Sequence, residues 1–253
     1  MVSSKAFADK VLKATATLRD QVDGMSFEEP VAYVYNPLRY AWQMHSKYVR
    51  KWGASPRRVL LLGMNPGPWG MAQTGVPFGE IAMVKEFMGL SGKVERPDPE
   101  HPKRPVLGLE SARSEVSGRR LWGFFDEQCG GAEGFFEEHF AVNYCPLVFM
   151  EDSARNRTPD KLPANEKKAL FEACDQRLVA LVDIYQPEWV VGIGGFARKK
   201  LDSLFGPKVK TPMGKHTPPN IGTVLHPSPA SPAANRGWAE AAEKQLFEQG
   251  IWK

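Results

Sequence analysis

The sequence of 253 residues carries a net charge of +4, with 42% hydrophobic and 25% charged residues, which is the composition of an ordinary globular protein. No apolar run approaches the roughly 20 residues of a membrane span, and the amino-terminal stretch lacks the apolar core of a signal peptide. Three cysteines without CxxC spacing argue against a disulfide framework and against an iron–sulfur cluster. We therefore expect no metal, no cofactor and no secretion, and a location in the cytoplasm or nucleoid of a bacterium or in the nucleus of a eukaryote.

Hydrophobic spacing predicts helices and strands that alternate along the chain. The predicted helices cover residues 6–22, 40–52, 81–90, 165–185 (with Asn165 as N-cap), a segment that ends at Leu204, and 238–249. The predicted strands cover residues 59–64, 140–144, 189–193 and 221–225. Residues 91–120 form a Pro-, Gly- and charge-rich excursion of the size that is usually functional or mobile. With no linker and no repeat, the pattern predicts one domain over residues 1–253, an α/β fold with a short, mainly parallel sheet of four strands.

Two loops rich in Pro and Gly follow predicted strands, and each carries one polar side chain suited to chemistry. The first is the segment GMNPGPWG, which begins at Gly63 and contains Asn65, and the second is HPSP, which begins with His226. Parallel strands place their carboxyl ends at one edge of the sheet, where ligands bind. We therefore expect Asn65 and His226 to lie in one cleft.

These two loops resemble the active-site motifs of the uracil-DNA glycosylase superfamily. The longer stretch GMNPGPWGMAQTGVPFG, residues 63–79, is similar to the single-strand-selective monofunctional uracil-DNA glycosylase family, and weaker similarities extend over most of the chain from Val59 onward. The resemblance implies a three-layer α/β/α sandwich. It also implies hydrolysis of the N-glycosidic bond of uracil in single- and double-stranded DNA, as the first step of base excision repair.

Such a reaction needs a positioned water on the sugar, a donor for the departing base and a pocket for a flipped base. The amide of Asn65 can hold a water without strongly deprotonating it, and the family match assigns it that role. In isolation Asn65 would equally suit a turn cap. The imidazole of His226 can donate a hydrogen bond to the charge that develops on uracil O2, in its neutral or its protonated form. A lone histidine at a strand end would more often bond a backbone carbonyl.

Four further residues are expected to hold the base. The amide of Asn143 offers a donor and an acceptor that match uracil O4 and N3–H, and the resemblance places the base-reading residue there. The resemblance also assigns Phe78 a stacking role, although core packing would explain a phenylalanine without the motif. Met64 and Gly67 fall where the family lines the pocket near uracil C5. A glycine there leaves room for a small substituent, which implies tolerance of oxidised uracils such as 5-hydroxymethyluracil.

The segment 228–237 corresponds to the loop that the family inserts into the opened duplex. Its expected DNA-binding residues are Ser228, Pro229, Ala230, Ser231 and Arg236, the last as a phosphate contact. Ala230 and Ser231 stand where animal relatives carry a basic residue and an Asn. A small tip fills a vacated base stack poorly, so we expect weaker activity on paired duplex than on single strands.

Clusters of basic residues suggest phosphate contacts beside the cleft, although solvated helix faces would explain each one equally well. They are Lys47, Arg50, Lys51, Arg57 and Arg58, then Arg198, Lys199 and Lys200, then Lys208, Lys210, Lys215 and His216.

No lysine lies in either motif, so the sequence predicts hydrolysis without a Schiff-base lyase step. The expected partner is uracil-containing DNA, with no membrane, and an oligomer is not indicated. Two alternatives stay open: a glycosylase of the same fold that prefers deaminated purines (hypoxanthine or xanthine), and a non-catalytic binder of uracil or abasic DNA.

Overall fold

The computed structural model describes residues 3–209 and 217–253, and it contains two sheets. The strands are β1 (Tyr33–Tyr35), β2 (Val59–Gly63), β3 (His139–Asn143), β4 (Val148–Met150), β5 (Asn156–Arg157), β6 (Trp189–Ile193) and β7 (Asn220–Val224). The α-helices are α1 (Ser4–Asp23), α2 (Pro37–Tyr40), α3 (Trp42–Trp52), α4 (Met71–Thr74), α5 (Val116–Cys129), α6 (Ala132–Glu138), α7 (Ala164–Tyr185), α8 (Gly195–Phe205), α9 (Pro232–Asn235) and α10 (Trp238–Glu248). None of the helices described is long and apolar enough to cross a bilayer.

The central sheet has four strands in the order β3-β2-β6-β7, and every pair is parallel. This confirms the four predicted strands, and no predicted strand end differs from the observed one by more than one residue. Strand β2 is buried along its whole length, as expected of a central strand covered on both faces. Because all four strands run the same way, their carboxyl ends share one edge, here called the carboxyl edge, and their beginnings share the amino edge.

Helices cover both faces of this sheet, which confirms the three-layer sandwich. Neighbouring residues of β3 point to opposite faces. Phe140 stacks on Tyr185 of α7, at a centroid distance of 5.4 Å, whereas His139 lies against Phe125 of α5 at 6.0 Å. Helix α8 approaches β6 closely, since a Cβ on Gly192 would lie 2.6 Å from the backbone nitrogen of Arg198.

The second sheet was not predicted. Strands β1, β4 and β5 pair antiparallel in the order β1-β4-β5, with Tyr35 opposite Val148 and Met150 opposite Asn156. Each strand has two or three residues, which is too short to show an alternating pattern. The second sheet can therefore be identified only from the strand pairing in the structure.

Several helix boundaries also differ from the expectations. The predicted N-cap Asn165 is wrong, because Pro163 is the N-cap and α7 already begins at Ala164. The segment 40–52 is divided at Ala41, whose φ of −107° breaks the helix, and residues 83–87 form a π-helical turn. The excursion 91–120 ends in α5, whose first turn was missed. Its Glu115 caps the helix by accepting from the backbone N–H of Gly118 at 2.6 Å.

Candidate active site

A cavity of about 300 Å³ opens at the carboxyl edge, between the loops that follow β2, β3 and β7. It contains all six residues predicted to act on the base or the sugar, together with Ser228. The lining residues are Met64, Asn65, Pro66, Gly67, Gly70, Met71, Phe78, Glu115, Ser117, Asn143, Asn156, Thr158, His226 and Ser228.

Asn65 lies on the loop after β2, and hydrogen bonds to two backbone carbonyls, one of them distant in the sequence, orient its side-chain amide. Its Nδ2 donates to the carbonyl of Leu147 at 3.1 Å and to that of Pro66 at 3.3 Å. An amide nitrogen bound to two carbonyls leaves Oδ1 as the atom available to accept a hydrogen bond. The side chain is therefore poised to accept from a water.

His226 follows β7, and its tautomer is set by a local bond. The backbone N–H of Ser228 donates to Nδ1 at 3.1 Å, so Nδ1 carries a lone pair and the proton of a neutral ring resides on Nε2. Burial lowers the pKa of His226, which favours that neutral form. The ring rests on Gly194, where a Cβ would lie 2.9 Å from the His226 Cβ. The site thus contains a neutral imidazole with Nε2–H as its donor.

Asn143 ends β3 directly beside the end of β2, and its side chain is 6% exposed. Its Nδ2 contacts the sulfur of Met71 at 3.2 Å, and its backbone carbonyl accepts from Arg177 at 2.7 Å. A Cβ on Gly63 would lie 2.4 Å from Asn143 Oδ1 and 2.6 Å from the ring of Phe78. A glycine at position 63 is therefore required for both side chains to meet at the pocket floor.

Phe78 adopts a backbone conformation that few side chains tolerate. Its φ of 51° lies in the left-handed region, and its carbonyl accepts from Nε1 of the buried Trp122 at 2.9 Å. Its ring centroid lies 6.1 Å from that of His226. Strain of this kind is kept where surrounding contacts fix a functional geometry. The two rings consequently face one pocket.

Gly67 and Met64 both line the cavity, and Gly67 has room for a side chain. The nearest atom to a Cβ at position 67 would be Oε1 of Glu115, at 3.9 Å. Burial raises the pKa of Glu115, whose carboxylate is held at the start of α5. Sequence reasoning noted the segment around Glu115 only as a weak similarity and missed this residue as part of the pocket wall.

The small sheet supplies another part of the wall that sequence reasoning missed. Asn156 of β5 and Thr158, just after it, line the cavity. Nothing in the local sequence indicates this placement, since it depends on the pairing of β5 with β4.

The segment 228–237 extends from the pocket with an exposed tip. Ser228 lines the cavity, Pro229, Ala230 and Arg236 are exposed, and the half-buried Ser231 caps α9 by accepting from Ala234 N–H at 3.3 Å. Arg120 anchors the segment by donating to the carbonyl of Pro227 at 3.1 Å and to Asn235 at 2.9 Å. The DNA-binding roles of these residues stay predictions.

Most residues of the predicted basic clusters form hydrogen bonds or salt bridges within the protein, and none of the described ones lines the pocket. Arg58 lies at the amino edge, where it pairs with Glu138 at 2.9 Å, and Arg57 donates to the carbonyl of Trp52 at 2.7 Å. The expectation that they flank the cleft is wrong, because residues that precede a parallel strand lie at the edge opposite its carboxyl end. The other bonded members are Lys47, Arg50, Lys51, Arg198 and Lys200.

Three members of the last basic cluster, Lys210, Lys215 and His216, fall outside the described residues. Lys199 and Lys208 are exposed. In the ranges 3–209 and 217–253, no group of three or more His, Cys, Asp or Glu side chains is arranged to hold a metal ion.

Known proteins match this chain over nearly its full length. The sequence pattern of the uracil DNA glycosylase superfamily matches residues 51–251. A Bos taurus protein named single-strand selective monofunctional uracil DNA glycosylase is 46% identical, with 98% of this chain and 89% of the relative covered. Relatives of the same name from Rattus norvegicus and Mus musculus are 44% and 43% identical, with 98% of this chain and 87% and 86% of theirs covered.

A solved structure shows the same fold at lower sequence identity. The crystal structure of WT Pedobacter heparinus SMUG2 superimposes with a TM-score of 0.69 and 18% identity, over 99% of this chain and 98% of that one. Identity of 43–46% over nearly the whole chain, together with the superfamily match, leaves one assignment. The chain belongs to the single-strand-selective monofunctional uracil-DNA glycosylase family of the uracil-DNA glycosylase superfamily.

Proposed function

We propose that this protein hydrolyses the N-glycosidic bond of uracil in DNA, single- and double-stranded, and so initiates base excision repair. The observation that carries the proposal is the meeting of Asn65, Asn143, Phe78 and His226 in one cavity at the carboxyl edge. The names of the relatives support uracil as the base and hydrolysis without a lyase step.

The proposed reaction begins with a flipped deoxyuridine whose base enters the cavity. As the C1′–N1 bond breaks, the sugar becomes an oxocarbenium ion and the base gains negative charge. A water held by Oδ1 of Asn65 adds to C1′ and loses one proton to solvent. The uracil anion takes up a proton from solvent in turn, which leaves an abasic strand and free uracil. An oxocarbenium ion captures a nearly neutral water, so the absence of a basic side chain at position 65 does not prevent the step.

His226 stabilises the departing base in this scheme as a neutral donor. The bond from Ser228 N–H to Nδ1 and the lowered pKa both support Nε2–H as the group that faces uracil O2. A neutral donor also avoids full protonation of the base anion. If the imidazolium were required, the rate would fall about tenfold per pH unit above its pKa.

Asn143 and Phe78 are proposed to read and stack the base. An amide that accepts from N3–H and donates to O4 leaves cytosine with mismatched donors and acceptors. Stacking on the Phe78 ring adds of order 1–3 kcal/mol without sequence preference. The contact from Asn143 Nδ2 to the Met71 sulfur is weak, so uracil O4 can replace it at low cost.

The space above Gly67 supports a wider range of bases than uracil. Because Gly67 has no side chain, a small substituent such as a 5-hydroxymethyl group meets no bulky group at this position, and Glu115 is the nearest side chain. We therefore propose that oxidised uracils such as 5-hydroxymethyluracil are also excised. A Gly67→Phe substitution, which fills this gap, is expected to reduce excision of 5-hydroxymethyluracil more than that of uracil.

The deciding experiment is single-turnover excision of uracil from a labelled strand, by wild type, Asn65→Ala, His226→Ala and the control Asn165→Ala. Loss of a transition-state donor or water ligand costs about 10²–10³-fold in rate, so both site variants should lose alkali-labile product to that extent. Asn165 is exposed on α7, and its variant should match wild type.

The same assay tests the protonation state and the alternatives. Between pH 6.5 and 8.5 the wild-type rate should stay within about twofold, because His226 is already neutral there. A steep fall over this range would contradict the neutral donor.

Cleavage of strands that contain hypoxanthine or xanthine, but not of strands that contain uracil, would establish the purine alternative. Binding without any product would establish the non-catalytic alternative.

A further inference from the structure

Arginines without acidic partners gather on the outer side of the loop that lines the pocket. Arg39 and Arg50, in contrast, pair with carboxylates, Arg39 with Asp23 at 2.7 Å and Arg50 with Asp9 at 2.9 Å. Within the described ranges Arg104 and Arg113 form no salt bridge. Their guanidinium carbons instead lie over the ring of Trp69, at 5.3 and 4.8 Å from its centroid. We name these three residues the Trp69 cluster.

A buried glutamine holds the parts of the Trp69 cluster together. Gln73 is 1% exposed, and its Nε2 donates to the carbonyls of Pro68 and Pro105, at 3.1 and 3.0 Å. These two prolines are the chain neighbours of Trp69 and Arg104. The Gln73 Oε1 accepts from the backbone N–H of Leu107 at 2.8 Å. The long excursion after residue 91 is therefore fastened to the pocket loop at the point where Trp69 and Arg104 meet.

The Trp69 cluster adjoins the cavity through the chain itself. Gly67 and Gly70, on either side of Trp69, line the cavity, and so does Glu115, two residues after Arg113. A Cβ on Gly70 would touch Glu115 at 3.1 Å, so the two segments pack directly against each other. A strand whose nucleotide enters the cavity has to cross this rim with its neighbouring nucleotides.

We propose that the Trp69 cluster binds the phosphates of the DNA strand that carries the target nucleotide, next to the flipped position. A guanidinium presents a planar fork that matches phosphate oxygens, and it is weakly hydrated and stacks on aromatic rings. Trp69 holds both guanidiniums in place. Nη1 of Arg104 donates to the carbonyl of Lys103 at 3.0 Å, so the Arg104 group that is offered to an anion is Nη2, beside the guanidinium of Arg113. These phosphate contacts add to those expected of the segment 228–237, and they belong to a different wall of the pocket.

The test measures binding apart from chemistry. The probe is a single-stranded oligonucleotide with one 2′-fluoro-deoxyuridine, whose fluorine resists formation of the oxocarbenium ion, and Kd is measured by fluorescence anisotropy against salt concentration. Arg104→Ala and Arg113→Ala should each weaken binding about tenfold, the cost of one charge-assisted hydrogen bond. The double variant should reduce the slope of log K against log salt by about 1.4, which is two single-strand phosphates.

The control is Arg50→Ala. It also removes one positive charge, but Arg50 pairs with Asp9 and lies outside the Trp69 cluster. Its Kd and salt slope should equal those of wild type. Trp69→Phe should keep most of the binding and Trp69→Ala should lose it, since phenylalanine retains a face for the guanidiniums. On a uracil substrate at saturating enzyme, the single-turnover rate of the arginine variants should stay within about twofold of wild type, because only binding is changed.

A salt slope in the double variant equal to that of Arg50→Ala would overturn the proposal. So would an unchanged Kd with a lower saturated rate, which would mean that the arginines act on the pocket and not on the strand. The inference rests on DNA as the substrate, and the two failures are distinguishable. Absence of excision by wild type refutes the proposed function, whereas the salt slope tests the Trp69 cluster with no reaction at all.

Discussion

His139 begins a strand at the amino edge of the parallel sheet, and His226 follows a strand at the carboxyl edge. Both are held neutral by burial, with the pKa of His139 lowered to about 4. Both nitrogens of His139 are bonded, with Nδ1 donating to the carbonyl of Phe135 and Nε2 accepting from Trp252. His226 uses only Nδ1, and no described residue bonds its Nε2.

The same contrast holds for the other polar groups of the two edges. At the amino edge, Arg58 reaches Glu138, Glu188 and the carbonyl of Ile251, so its charge is balanced within the protein. At the carboxyl edge, Asn65 keeps one acceptor free, and Arg113 stacks on the Trp69 ring and forms no salt bridge with a described residue. Groups bonded on all sides stabilise the fold, whereas groups bonded on one side are oriented and remain available to a ligand.

Among the changes that test this contrast between the two edges, the largest effect is expected from blocking the approach of Asn143 and Phe78 at the carboxyl edge. Gly63→Ala adds a Cβ within 2.6 Å of both side chains, so both must shift. A displacement of about 1 Å can cost about a hundredfold in rate, and we expect a loss of that order in single-turnover excision. Gly123→Ala is the matched control, since a Cβ there meets nothing within 4 Å. Equal rates for the two variants would contradict this account of the pocket floor.

The amino-edge histidine should control stability and not rate. Because the folded pKa of His139 lies near 4, below its ordinary 6.5, the unfolded chain binds more protons between these values. The contribution of His139 to the free energy of unfolding is therefore fully present above pH 6.5 and is lost as the pH falls. At pH 4.5 the loss from this group is about 2–3 kcal/mol. The measurement is urea unfolding of wild type and His139→Gln at pH 7 and 4.5. Because the glutamine amide does not titrate, the drop in the free energy of unfolding between these pH values should be smaller in the variant by about 2–3 kcal/mol.

The buried His45, whose pKa is also lowered to about 4 by burial, adds a second contribution in the same direction. That contribution stays in the His139→Gln variant and provides an internal reference. An unchanged pH dependence in this variant would show that His139 is not a source of the acid sensitivity.

A smaller effect is expected from removal of the amino-edge charge. Arg58→Ala should lower the free energy of unfolding by about 1 kcal/mol or less, because its ion pairs are partly exposed. Excision kinetics and the salt slope of DNA binding should not change. A loss of DNA affinity comparable to that of Arg113→Ala would refute the separation of the two edges.

The smallest effect concerns the tip of the segment 228–237. Ala230→Arg restores a long basic side chain at an exposed position, which should raise excision from paired duplex relative to single strands by about threefold, the worth of one added exposed contact. The measurement is the ratio of single-turnover rates on the two substrates. An unchanged ratio would remove the support for the expectation that the small tip weakens activity on paired duplex.

Much of this site could be predicted because its signals are local. Apolar runs marked the four strands of the main sheet, and loops rich in Pro and Gly placed Asn65 and His226 just after two of them. A parallel sheet then places both loops at one edge, and the order β3-β2-β6-β7 leaves only β6 between them. The assignments of Asn143, Phe78 and Gly67 came from the family resemblance, and the structure brings all three to the cavity.

The rest depends on contacts between residues far apart in the chain. The sequence alone gave no signal for the bond from Asn65 to Leu147, for the bond of Gln73 to Pro105, or for the pairing that brings Asn156 to the pocket. It also misled on Arg57 and Arg58, since nearness to a motif in the chain is not nearness in space when a strand lies between them. Hydrophobic pattern determines which elements form, but only tertiary packing decides which polar groups are bonded internally and which remain open to DNA.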